Sequence, residues 1–123
     1  MSDTISPQEL DEMRKKGDNF ILLDVRRAEH FAEDPSIIPG AVRKLPESVE
    51  SWAAELPAGT PIVLYCVRGG SVSQAVTPAL QKLGRDAKYI AGGIDAWKAN
   101  GGDVEPADPL VEKSDRRDTL RKR

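Results

Sequence analysis

The 123-residue sequence has little of the chemistry that small metal-binding or disulfide-rich domains use, with one cysteine, Cys66, and one histidine, His30. A closed zinc site needs about four ligands and a disulfide needs two thiols, so neither can be built on Cys66 alone. No apolar run approaches the roughly 20 residues of a membrane helix, and residues 1–7 lack a basic segment followed by an apolar one. We therefore expect a cytoplasmic protein with no metal, no cofactor and no membrane partner.

Charge is unevenly distributed along a chain that is long enough for one core. Residues 1–110 carry 12 Lys and Arg against 17 Asp and Glu, whereas residues 111–123 carry six against three. The acidic body disfavours nucleic-acid binding, which needs clustered cations. The end of the chain, 106–123, is interpreted as a charged, flexible tail. A docking helix or a partner-binding basic segment is the alternative.

Strand-like and helix-like segments alternate along the body. Helices are predicted over 7–16, 48–56, 71–83 and 94–100, with a helical turn over 28–32 and strands over 20–25, 61–65 and 87–90. Ser6 and Glu9 form a helix-start signal, and Pro78 predicts a kink or break in the third helix. This alternation predicts an α/β fold with a central parallel sheet and helices on both faces.

Cys66 stands between a predicted strand and a predicted helix, and ligands bind at this position in open α/β sheets. The glycine pair after it lets the loop curl so that several backbone N–H groups face one centre, an arrangement that stabilises a thiolate. We interpret Cys66 as a nucleophilic or sulfur-carrying residue. A buried, inert cysteine is the alternative. The N–H groups belong to the predicted substrate-binding residues, Val67, Arg68, Gly69, Gly70, Ser71 and Val72.

A cysteine phosphatase is a rival interpretation of such a loop. It needs an arginine that closes the loop and grips the phosphate with a bidentate fork. Ser71 and Val72 occupy the candidate positions, so this arginine is missing. Arg68 is the one cation of the loop and either meets a substrate anion or is simply solvated. His30 is interpreted as a surface residue, which favours a soft nucleophile that needs no general base.

Four motifs in order resemble the single-domain rhodaneses, the thiosulfate sulfurtransferases. They are Leu-Asp-Val-Arg at 23–26, Ile-Pro-Gly-Ala at 38–41, the run from Ile62 to Ser71, and Gly-Gly-Ile-Asp-Ala-Trp at 92–97. The resemblance implies a rhodanese domain over 1–105 and an α/β rhodanese-like fold. It also implies that Cys66 takes the outer sulfur of a small anionic donor such as thiosulfate. The resulting persulfide passes that sulfur to cyanide, a thiol or an acceptor protein.

The resemblance also assigns supporting residues and shows departures. Asp24 and Arg26 match the family's Asp-x-Arg at the end of a core strand and are expected to support the loop from behind. Ser36 and Ile37 stand directly before Ile38, where many relatives have Gly-His. The loop also has fewer cations than in many relatives, which weakens the expectation of thiosulfate as donor. A non-catalytic regulatory module, linked to oxyanion stress, and a redox sensor working through intermolecular Cys66 disulfides are the remaining alternatives.

Overall fold

The computed structural model describes residues 3–57 and 59–106, so the predicted tail from 107 onward lies outside the described residues. The strands are β1 Thr4–Ile5, β2 Ile21–Asp24, β3 Ser36–Ile37, β4 Val42–Arg43, β5 Ile62–Tyr65, β6 Ala87–Ile90 and β7 Glu105–Pro106. The helices are α1 Pro7–Lys16, α2 Ala28–Glu33, α3 Val49–Ala53, α4 Ser71–Lys82 and α5 Gly93–Ala99, and a 3-10 turn at Pro46–Ser48 precedes α3.

Within the described residues, five strands form one parallel sheet in the order β1-β6-β5-β2-β4. Strands β2 and β5 are central neighbours, and their register places Asp24 beside Tyr65. Strands β3 and β7 pair antiparallel in a separate two-stranded ribbon, in which Ser36 lies opposite Pro106. The predicted α/β fold with a parallel central sheet is therefore confirmed.

Two apolar clusters cover the two faces of the sheet. Successive strand residues point to opposite faces, so Leu22 and Leu23 belong to different clusters. Helices α1 and α5 pack on one face, and helices α3 and α4 pack on the other. Strand β5 is buried along its whole length because it lies between both layers. The last residue of this strand brings the chain to Cys66 inside the protein.

The helix signals were confirmed where they are local. The Ser6 side chain accepts from the Glu9 N–H, the Glu9 carboxylate accepts from the Ser6 N–H, and α1 ends at Gly17 in the left-handed conformation. Of the kink or break expected at Pro78, the break is wrong, because α4 continues through it. The neighbours Thr77 and Leu80 are buried against the sheet, and their packing keeps the helix in place.

Leu80 and Leu83 give a matched pair for testing how much α4 packing contributes to stability. Leu80 is fully buried against the sheet, whereas Leu83, at the end of the same helix, is 49% exposed. We expect Leu80→Ala to lower the free energy of unfolding by about 2–5 kcal/mol, since it removes buried methyl groups and leaves a cavity. Leu83→Ala should change it by less than about 1 kcal/mol. Urea denaturation measures both, and equal losses would contradict this packing.

Candidate active site

Cys66 follows β5 directly and is 5% exposed. The hydroxyl of Ser73, one turn into α4, donates a hydrogen bond to the Cys66 Sγ over 3.0 Å. Ser73 is itself fully buried, so this donor lies in a site with little competing water. The hydrogen bond fixes the position of the sulfur at the start of the loop.

The loop after Cys66 leaves a row of backbone donors without backbone partners. In the part of the chain that the structure describes, none of the N–H groups of 67–72 donates to a backbone carbonyl. The loop bends at Gly69, whose φ of 71° is left-handed and whose added Cβ would lie 3.0 Å from the Gly92 nitrogen. Helix α4 begins at Ser71, so its positive end adds to the same row. Anion binding by this loop stays a prediction.

The carbonyl side of the loop is held by the start of α5. The Ile94 N–H donates to the Cys66 carbonyl over 3.0 Å, and the Asp95 N–H donates to the Val67 carbonyl over 3.1 Å. This approach needs glycine at position 93, because an added Cβ would lie 2.5 Å from both carbonyl oxygens. The carbonyls of Cys66 and Val67 are thus bound to α5, whereas the N–H groups of the loop have no backbone acceptor among the described residues.

Asp24 and Arg26 form a buried ion pair at the end of β2. Arg26 Nη2 lies 2.6 Å from Asp24 Oδ2, and Arg26 Nε lies 3.0–3.1 Å from both carboxylate oxygens. The same guanidinium donates to the carbonyls of Asp34 and Ser36. Arg43 lies over the Phe31 ring and donates to the Arg26 carbonyl. The pair therefore fixes the path of the chain beside β5 and has no direct contact with Cys66 among those described.

Tyr65 connects this pair to the strand that ends in the cysteine. Its hydroxyl accepts a hydrogen bond from the Ile38 N–H over 3.1 Å. Burial, followed by the nearby Asp24 carboxylate, raises the pKa of Tyr65 well above its ordinary value. The phenol is therefore neutral in the folded protein across the whole physiological range.

An exposed ion pair joins the end of α2 to α5. The Lys98 ammonium and the Asp34 carboxylate are in direct contact. This hydrogen bond holds the pKa of Asp34 below its usual range. Both side chains are more than a third exposed, so this ion pair contributes little to the stability of the fold.

A cleft of about 700 Å³ opens beside the Cys66 loop, between α3 and α4. Ser71 and Val72, the last two residues of the predicted loop, form part of its wall. Val49, Val76 and Pro46 give it an apolar floor. This α3–α4 cleft has the volume of a site for an organic ligand.

The structure brings most of the predicted site residues to one end of the sheet. Cys66 and the loop 67–72 lie at the carboxyl end of β5, and the Asp24–Arg26 pair lies at the same end of β2. His30 is exposed on α2, as interpreted from the sequence. Arg68 is 81% exposed and donates to Asp95 over 3.2 Å. Trp52 and Trp97 are buried core residues.

Sequence reasoning did not assign Ser73, Asp95 or Arg43 to the site. Ser73 is one serine among several, and its contact with Cys66 depends on how the loop returns into α4. Asp95 belongs to the 92–97 motif, which was a signal that this segment meets the loop. Arg43 comes from a strand of two residues, too short to be read from periodicity.

Two further observations concern the described residues only. They contain no group of three or more His, Cys, Asp or Glu side chains placed to hold a metal ion. They also contain no helix that is long and apolar enough to cross a membrane.

Comparison with known proteins gives a family match over most of the chain. The family described as the rhodanese-like domain matches residues 6–100. A maize protein named adenylyltransferase and sulfurtransferase MOCS3-2 is 34% identical over 86% of this chain and 22% of its own length. A tRNA 2-selenouridine synthase from Shewanella loihica is 41% identical over 51% of this chain and 16% of its own length. The chain thus spans about a fifth of these curated relatives.

Solved structures agree with the fold. A protein from Anabaena sp. superposes with a TM-score of 0.75 at 26% identity, covering 96% of this chain and 94% of that one. A rhodanese-related protein from Thermoplasma volcanium gives a TM-score of 0.70 at 23% identity, covering 82% of this chain and 95% of that one. The second likeness supports the fold alone.

The burial of Tyr65 predicts a loss of stability at alkaline pH. Because its pKa is raised in the folded state, its contribution is fully present below the unfolded value of 10.0 and is lost as pH rises above it. We expect Tyr65→Phe to flatten the fall in unfolding free energy above pH 10.0. Denaturant titrations at stepped pH measure this slope, and a variant with the parent slope would contradict the burial of a neutral phenol.

The Ser73 contact predicts a change in thiol reactivity. Ser73→Ala removes the hydroxyl that donates to the Cys66 Sγ and fixes its position, so alkylation of Cys66 by iodoacetamide at neutral pH should slow by about threefold or more. Mass spectrometry gives the rate. Ser51→Ala, at an exposed serine of α3, is the control and should alkylate at the parent rate. An unchanged rate in Ser73→Ala would show that the hydroxyl does not position the sulfur for reaction.

Proposed function

Because the chain belongs to the rhodanese-like domain family, we propose that it is a sulfurtransferase in which Cys66 carries a sulfane sulfur from a donor such as thiosulfate to a thiophilic acceptor. The observation that carries the proposal is the row of backbone N–H groups over 67–72 that lack backbone partners beside a hydrogen-bonded Cys66 Sγ. The sulfurtransferase named in the maize relative supports the same chemistry.

In the first half-reaction the Cys66 thiolate attacks the outer sulfur of the donor. A bond forms between the two sulfur atoms while the donor's own S–S bond breaks, and sulfite leaves with the electron pair of that bond when thiosulfate is the donor. The product is a Cys66 persulfide anion. No proton is removed in this step, so the absence of a histidine near Cys66 among the described residues is no obstacle.

The loop supplies the stabilisation that the persulfide needs. Its terminal sulfur is negatively charged, and we expect it to be bound by the N–H groups of the substrate-binding residues, Val67, Arg68, Gly69, Gly70, Ser71 and Val72, which have no backbone acceptor in the described chain. Ser73 holds the inner sulfur. Asp24 and Arg26 act as positioning residues, since they order the chain beside β5.

In the second half-reaction an acceptor attacks the outer sulfur of the persulfide and Cys66 leaves as a thiolate. Cyanide, a low-molecular-weight thiol or the thiolate of an acceptor protein fits this step. With one cysteine in the chain, no internal thiol can discharge the persulfide, so the acceptor is external. The single cysteine stays a free thiol between reactions in a reducing compartment, so we also propose a cytoplasmic location.

Loading of Cys66 tests the proposal. After incubation with thiosulfate, or with another sulfane donor, and removal of the donor, the intact protein should gain the mass of one sulfur atom. Treatment with cyanide should remove it. Cys66→Ser is the control and should gain nothing.

If no sulfane donor loads the parent protein, the sulfurtransferase proposal fails. A biological effect that survives in Cys66→Ser would then favour the regulatory module. Turnover of an aryl phosphate lost in that variant would favour a phosphatase.

A further inference from the structure

The mouth of the Cys66 loop has its positive charge neutralised. Arg68 is the one cation among residues 67–72. Its Nε lies 3.2 Å from the Asp95 Oδ2, and Asp95 is 49% exposed. A dianion that approaches the loop therefore meets a carboxylate beside the guanidinium. Repulsion between the Asp95 carboxylate and a bound dianion opposes binding even in water.

Asp95 cannot easily leave this position. Its own N–H is bonded to the Val67 carbonyl, and the preceding N–H, that of Ile94, is bonded to the Cys66 carbonyl. The contact of Gly93 with the same carbonyls leaves no space for a Cβ, so α5 sits directly on the loop. The backbone that bears the carboxylate is thus fixed to the loop that bears the cysteine.

The α3–α4 cleft, which shares Ser71 and Val72 with the loop, also has no excess of positive charge. Its charged rim contains Arg27 and two carboxylates, Glu29 and Glu47, above the apolar floor. Its volume of about 700 Å³ is far larger than a small inorganic anion needs. The cleft is therefore better suited to the carbon skeleton of an organic ligand than to a small, doubly charged anion.

We propose that the preferred donor is an organic persulfide whose carbon skeleton occupies the α3–α4 cleft, and that Asp95 is the residue that disfavours the thiosulfate dianion. This inference rests on the proposed function. The Cys66 thiolate attacks the outer sulfur of R–S–S⁻, the donor S–S bond breaks, and R–S⁻ leaves with its electron pair and takes a proton from water. The sulfane sulfur keeps its oxidation state, so no oxidant or reductant is needed.

The test compares the rates at which n-butyl persulfide and thiosulfate load Cys66 in the parent protein and in Asp95→Asn. The parent should load faster from n-butyl persulfide. Asp95→Asn should raise the ratio of the thiosulfate rate to the persulfide rate by about threefold at low salt, and the rise should shrink at high salt. Asp86→Asn removes the same charge at the start of β6, at the opposite end of the sheet, and should keep the parent ratio.

A second pair of variants tests the cleft without changing charge. Ala75→Phe fills the cleft from an exposed position on α4 and should slow loading from n-butyl persulfide several-fold while leaving thiosulfate loading at the parent rate. Ala54→Phe, at an exposed alanine that does not line the cleft, should leave both rates unchanged.

Three results would overturn the inference while leaving the sulfurtransferase proposal intact. The first is a parent protein that loads faster from thiosulfate than from n-butyl persulfide. The second is a ratio of thiosulfate rate to persulfide rate that is the same in Asp95→Asn as in Asp86→Asn, and the third is an Ala75→Phe variant that loads from n-butyl persulfide at the parent rate. Failure of both donors to load the parent would instead remove the proposed function, and this inference with it.

Discussion

The buried ion pair between Asp24 and Arg26 is the interaction on which the rest of the site depends. Both charges lie out of contact with water, which is costly unless each polar atom has a partner. Here the guanidinium bonds to both carboxylate oxygens and to the carbonyls of Asp34 and Ser36. Because β2 pairs with β5, this contact fixes the carboxyl end of the sheet and the point at which the chain reaches Cys66.

The carbonyl groups and the N–H groups of the Cys66 loop differ in their contacts. The carbonyls of Cys66 and Val67 are bound by the first N–H groups of α5, which hold the loop still. The N–H groups of 67–72 have no backbone acceptor within the described chain. A rigid row of donors that needs no rearrangement is what a negatively charged sulfur requires as it forms.

The sequence predicted the parts of this arrangement that are local in the chain. Long helices with strong end signals, such as α1 between Ser6 and Gly17, and buried apolar strands, such as β5, were found from pattern alone. The loop after Cys66 was identified because a strand, a glycine pair and a helix follow one another. Strands of two residues have no readable period, and Ser73 and Asp95 reach the site through contacts that span the fold. Pro78 does not break α4, because tertiary packing outweighs the local preference.

If Cys66 holds the sulfur between two separate reactions, a sulfur label from the donor must stay on the protein after the donor is removed. Thiosulfate carrying an isotope label in its outer sulfur is allowed to react, the donor is removed completely, and cyanide or a thiol is then added. We expect about one label per chain to move to the acceptor with no donor present. Label that reaches the acceptor only while the donor is still in solution would contradict a Cys66 persulfide intermediate.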